Sequence, residues 1–332
     1  MRYLALTLAY DGAAYHGFQI QCAAHGPTIQ GTLEATWFTL FGETIRVTPA
    51  GRTDAGVHAA GQVVSFPSES RIPTDKIGKA MNSLLPRDIR VLEAWETGED
   101  FNARFSACWK RYDYWIDNRS VPDVFARRYA HHEPVALDKE AMRRTAQALV
   151  GRHNFRAFAA AAAAAGSVTP HGVRNFERTL SHCCITEEHG LLKMSFVGDG
   201  FLYNMVRIMA GTLLAFGKVS RKASRKTQTA QRVEFEQYQA SPCLSPCLGP
   251  CLSKIQHTQI CSGTEAEALQ EILASQDRTR AGDTLPPHGL VLKHVEYRAR
   301  CPSMVFADLP ASDWENQLVA PREGAVRRSR KT

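Results

Sequence analysis

Residues 49–66 read PAGRTDAGVHAAGQVVSF, in which a turn-forming GRTDAG at 51–56 runs straight into an alternating apolar segment. Gly51 and Gly56 are turn residues and QVVSF is strand-like, so Arg52 and Asp54 are predicted on a tight connection that enters a strand. Loops held by a rigid sheet are where reactive groups tend to sit. Taken alone, the triplet also fits a local role, with Asp54 bonding its own turn and Arg52 as its surface ion partner. His58, alone, reads as a satisfied, partly buried histidine.

Working outward from that stretch, Leu4, Leu6 and Leu8 alternate with small residues as a strand does, and the run ends at the turn signal Tyr10-Asp11-Gly12. Thr28 is an N-cap for a helix carrying Ile29, Leu33, Trp37 and Leu40, which Gly42 stops. Residues 45–48 and 61–66 read as strands around the GRTDAG turn, 73–85 as a helix closed by Pro86, and 89–95 as a strand. The order is β-α-β-β-α-β.

The second half fits the same template. Residues 104–117 alternate over a long strand, and 139–150 are helical through Met142, Ala146 and Leu149. Residues 174–186 and 191–197 form a hairpin across EEHG. Residues 201–216 are a helix with Met205, Met209, Leu213 and Phe216 on its inner stripe, and 288–297 supply the last strand. The expected fold is therefore α+β: two ferredoxin-like halves, 1–103 and 104–300, with largely antiparallel sheets meeting at a central cleft where ligands bind.

The second half is interrupted at 219–263 by a stretch rich in Lys, Arg, Gln, Ser and Pro, read as a disordered, low-complexity insertion. Within it Cys243, Cys247 and Cys251 recur at C-x3-C-x3-C. A zinc site completed by Cys261 or His257 would favour C-x2-C spacing, and a Pro before each Cys suits low complexity better. The nine cysteines form no small-domain framework and are read as reduced.

Charge is concentrated in two places. Residues 218–226 carry +5 and the basic tail within 301–332 adds +4 over 321–332, more than the +7 of the whole chain, so the rest is slightly acidic. A basic groove on the folded body must come from arrangement of charge. No apolar span reaches transmembrane length and the N-terminus lacks a signal-peptide pattern, so no membrane partner and a cytoplasmic location are expected.

Six ordered blocks together resemble the tRNA pseudouridine synthase A family: AYDGAAYHGFQIQ (9–21), GRTDAGVHAAGQVVSF (51–66), MNSLLPRDIRV (81–91), FNARFSACWKRYDYWIDN (101–118), GFLYNMVRIMAG (200–211) and RTRAGDTLPPHGLVLKHVEY (278–297). The resemblance covers Arg2 to about Gly217 and about Thr264 to Tyr297. It implies the pseudouridine synthase fold and an isomerase that converts uridine to pseudouridine at positions 38–40 of the tRNA anticodon stem-loop, without a cofactor, as a homodimer. By the same resemblance Asp54 is the nucleophile, Arg52 positions or displaces the flipped base, Tyr112 packs on the target base and Arg207 pairs with Asp54. Asn102 stands where a His is more usual, and the 219–263 insertion lengthens a region that is normally short.

These roles are physically coherent. A stacked uridine must be extruded at a cost of a few kcal/mol before a side chain can reach its glycosidic bond, and an aromatic ring then holds it. An ionised carboxylate can attack C1′ or C6, and a guanidinium offsets the effect of burial on its pKa. A non-catalytic tRNA-binding or folding module would use the same aromatics without need of Asp54. A metal-dependent hydrolase using Asp54 and His58 would need a further carboxylate or His cluster.

Overall fold

The computed structural model describes residues 1–21, 26–160, 168–169, 172–173, 175–218 and 265–297, and these described residues gather into one compact unit. The proposed insertion and the basic tail lie outside the described residues, as do Cys22, Cys243, Cys247, Cys251, His257 and Cys261.

The first half runs β1 (Arg2–Tyr10), α1 (Ile29–Phe41), β2 (Thr48–Pro49), β3 (His58–Ser68), α2 (Thr74–Leu84) and β4 (Ile89–Thr97). Thr28 caps α1, its Oγ1 accepting the Gly31 N–H at 3.1 Å, and Gly42 ends it at φ +65°. Ile29, Leu33 and Trp37 are buried, with the Trp37 ring edge-on to Phe66 of β3. The residue before Pro86 closes α2, the Leu85 N–H reaching the Met81 carbonyl.

The second half runs β5 (Ala107–Asp117), β6 (His131–His132), α3 (Lys139–Gln147), β7 (Gly151–Asn154), β8 (Val168–Thr169), β9 (Gly172–Val173), β10 (Glu177–Glu188), β11 (Leu191–Gly198), α4 (205–218), α5 (Glu265–Ser275) and β12 (Leu290–Tyr297). His189 and Gly190, at φ +50° and +75°, make the two-residue turn between β10 and β11, the left-handed pair that a tight hairpin requires. Met205, Met209 and Leu213 of α4 are fully buried.

Both halves lie in one ten-stranded, mostly antiparallel sheet of order β4-β1-β3-β12-β5-β11-β10-β7, with β2 paired to β3 and β6 to β5. The halves join where β3 and β12 run parallel, Val291 opposite His58 and Leu292 opposite Ala59. Gly61 permits that approach, since a Cβ there would lie 2.6 Å from the Lys293 carbonyl oxygen. This seam begins directly after the GRTDAG turn.

The structure departs from the sequence reading at several points. Residues 45–47 are not a strand, because α1 side chains take the backbone groups of Val47: Glu34 Oε1 accepts its N–H at 3.0 Å and Gln30 Nε2 donates to its carbonyl. The strand expected from 104 starts at 107, since Asn102 Oδ1 accepts the Arg104 and Phe105 N–H groups in a local turn. The helix expected from 201 starts at 205, after Asn204 at φ +61°. Helix α5 was not anticipated; Leu269, Ile272 and Leu273 are its buried stripe.

Candidate active site

Asp54 stands at the first corner of a turn that Val57 N–H closes on the Asp54 carbonyl at 3.1 Å, with Gly56 at φ +78° in the third position. The loop leading to it is held at almost every backbone oxygen. Lys110 Nζ donates to Ala50 O at 2.6 Å, Gln62 Nε2 to Gly51 O at 2.7 Å, and Phe18 N–H to Thr53 O at 3.0 Å. Thr53 Oγ1 shares a hydrogen bond with Tyr10 Oη at 2.8 Å, and Gly17 at φ +87° lets its own backbone approach Thr53. A loop bonded through so many backbone groups is a rigid platform for its one carboxylate.

That carboxylate makes no local cap. Among the described residues its hydrogen-bond partner is Arg207, whose Nη1 donates to Asp54 Oδ2 at 3.3 Å. Arg207 is itself fixed: Nη1 also donates to Asn204 Oδ1 at 2.9 Å and Nε to Leu285 O at 2.6 Å. Leu285 reaches that position because its loop presses backbone to backbone on α4, where a Cβ on Gly211 would lie 1.9 Å from Asp283 O and one on Gly282 2.6 Å from Thr212 N. Burial raises the Asp54 pKa above the ordinary aspartate range, and the charge and hydrogen bond of Arg207 oppose the rise. Arg52 is exposed on the same loop and has no ion-pair partner among the described residues.

Asp54 and Arg207 lie in a cleft of ≈ 1170 Å³ that Arg46, Arg52, Arg104, Lys110 and Tyr112 also line. Asp54 is its one carboxylate among five cationic side chains, so a slightly acidic body presents a basic groove. Tyr112 is buried on β5 with its ring edge-on to Phe201 at 5.1 Å. Burial, with Tyr10 and Asp54 nearby, pushes its phenol upward and keeps the hydroxyl protonated. A second hollow of ≈ 760 Å³ beside α1 has no ionisable side chain in its lining.

His58 does not join this group. It is buried under Tyr129, accepting the Gly12 N–H at Nδ1 beside the Asp11 carboxylate, and burial lowers its pKa. No cluster of three or more His, Cys, Asp or Glu able to hold a metal occurs among the described residues.

A family model described as tRNA pseudouridine synthase matches residues 7–106 and 145–246. The chain belongs to the tRNA pseudouridine synthase family. It is 42% identical over 294 residues to the tRNA pseudouridine synthase A of Moorella thermoacetica, covering 89% of this chain and 99% of that one. The corresponding protein of Syntrophomonas wolfei is 42% identical over 297 residues, covering 90% and 98%, and that of Halalkalibacterium halodurans 38% over 292, covering 88% and 91%. The synthase family is one of isomerases, and the mostly antiparallel α+β sheet is its fold.

The family match spans Arg52, Asp54 and Arg207, whereas Tyr112 falls between its two segments. The residues that orient the synthase site, Asn204, Gln62, Tyr10 and Lys110, escaped the sequence reading. Each acts through a backbone group, a hydroxyl or a guanidinium brought near by the fold, and only an Asn before a helix, a residue type that tolerates positive φ, had any local signal.

Proposed function

We propose that this chain isomerises uridine to pseudouridine in the anticodon stem-loop of tRNA, with Asp54 as nucleophile. The single observation that carries the reading is the Asp54–Arg207 pair in a cationic cleft, because a carboxylate facing a polyanion is a liability unless it does chemistry. Arg46 and Arg104, on the cleft wall, would receive the RNA backbone. The extruded base would lie against Tyr112, stacking there for about 1–3 kcal/mol, while Arg52 occupies or guides the space the base leaves.

Asp54 attacks C1′ or C6 of the nucleotide, the C1′–N1 bond breaks, the base turns, C5 bonds to C1′, the bond to Asp54 breaks to return the carboxylate, the C5 proton leaves and N1 takes up a proton. Atoms balance without a cofactor or co-reactant. Arg207 keeps the attacking oxygen ionised against burial. Family membership supports positions 38–40, a homodimer and a cytoplasmic location.

The test is to incubate the protein with an unmodified tRNA transcript bearing uridines at 38, 39 and 40 and to map pseudouridine by carbodiimide adducts and primer extension. Stops at those uridines are expected. A transcript that binds tightly but acquires no adduct would replace this reading with a non-catalytic RNA-binding module.

A further inference from the structure

Lys110 is a charged side chain that the proposed chemistry leaves unused. It lies two residues from Tyr112 on the same face of β5, about 7 Å along the strand, and both line the cleft. A Cβ on Gly51 would come within 3.4 Å of Tyr112 Oη and 3.7 Å of Lys110 Nζ, so both reach the catalytic loop. One ammonium proton goes to Ala50 O. The others have no carboxylate to meet among the described residues.

The surroundings make that charge costly. Arg104 before β5 and Arg178 on β10 both act on Lys110 as like charges, and neither has an ion-pair partner among the described residues. Asp199, after β11, is the one acid acting on the group, and its Oδ1 accepts the Thr179 N–H. Burial first, then the two arginines, bring the Lys110 pKa down to about 8. Three cations around one acid, one of them largely withdrawn from water, are an arrangement that an incoming anion relieves.

We propose that Lys110, with Arg104 on the same cleft wall, is a phosphodiester subsite that grips the RNA backbone beside the extruded nucleotide. The inference rests on reading the cleft as the place where uridine is isomerised. The two-residue step from Tyr112 matches the reach from a base to a phosphate next to it. The subsite would fix the strand while the base turns, and would contribute to substrate affinity more than to the chemical step.

The experiment titrates the full chain with an unmodified tRNA transcript across a range of KCl concentrations and measures pseudouridine formation in parallel. Lys110→Met should weaken binding about tenfold, raise KM more than it lowers kcat, and reduce the slope of log K against log salt by about 0.7 to 0.9, the loss of one phosphate contact. Lys110→Arg should restore the slope, and Asp199→Asn, which keeps the Thr179 acceptor, should tighten binding. An unchanged slope and affinity in Lys110→Met with a fall in kcat would overturn the proposal and make Lys110 a clamp on the loop alone. Wild-type protein that binds tRNA without forming pseudouridine would defeat the isomerase reading, while the salt slopes would still decide the subsite.

Discussion

In the second half, β10 and β11 pair from Leu180 opposite Gly198 to Glu188 opposite Leu191 and turn in two residues. Their counterparts in the first half, β2 and β3, pair only at Thr48 with Ser65 and Pro49 with Val64, and residues 50–57 between them form the loop that carries Asp54. The two hairpins hold the same place in the β-α-β-β-α-β order. One is zipped to its end; the other is opened because Gln30 and Glu34 of α1 take the backbone groups of Val47, and Gln62, Phe18 and Lys110 take those of the loop. An open hairpin is a site only when something other than a ladder satisfies its backbone. The zipped half supplies the complementary groups, Tyr112 and Arg207.

Arg207→Met should break the pairing of the halves most severely. Without the guanidinium nothing opposes burial of Asp54, so its pKa rises further. With Asp54 in its proposed role as nucleophile, activity grows as pH rises through that pKa, so the acidic limb of the rate profile should move to higher pH. The maximal rate should also drop about 100-fold through misplacement of the nucleophile. A pH profile of single-turnover rates checks both; an unmoved limb would separate Arg207 from Asp54.

Tyr112→Ala should cost about 1–3 kcal/mol of binding to an RNA whose target base can be extruded, and Tyr112→Phe should retain it. Comparing dissociation constants for the two variants tests whether the ring or the hydroxyl matters to affinity.

Two glycine substitutions separate the seam from the hairpin. Gly61→Val would drive a side chain into the Lys293 carbonyl and should lower stability in urea by about 1–3 kcal/mol, with activity falling alongside because the loop that carries Asp54 ends at that seam. Gly190→Ala has open space around it but a φ of +75°, so it should lose about 1 kcal/mol of stability and leave the rate unchanged. Equal effects of the two on the rate would contradict the distinction between opened and zipped hairpins.

Much of this architecture was legible in the sequence because alternation, caps and turns are local. Thr28, Gly42 and Pro86 stand where the chain alone puts them, and the His189-Gly190 turn falls within the expected EEHG connection. The errors have two causes: a side chain from another element captures backbone where Glu34 at Val47 removes a strand, and a residue leaves the helical region where Asn204, at φ +61°, shortens a helix. The joining of the halves through β3 and β12 was not legible as a single sheet, since a two-residue parallel contact leaves no periodicity. In the site, Asp54, Arg52, Tyr112 and Arg207 were chosen from motif resemblance, and the structure brings them to one cleft. The shell of Gln62, Tyr10 and Lys110 contacts other residues chiefly through oxygens that any sequence would possess.

The most direct test of the central claim is tritium release from an unmodified tRNA labelled at C5 of uridine, measured with the intact protein and with Asp54→Asn at matched thermal stability and tRNA affinity. Forming the C5 to C1′ bond must expel that atom. The account predicts release by the intact protein and none above background by Asp54→Asn; comparable release by both would show that the carboxylate on the opened hairpin is not the nucleophile.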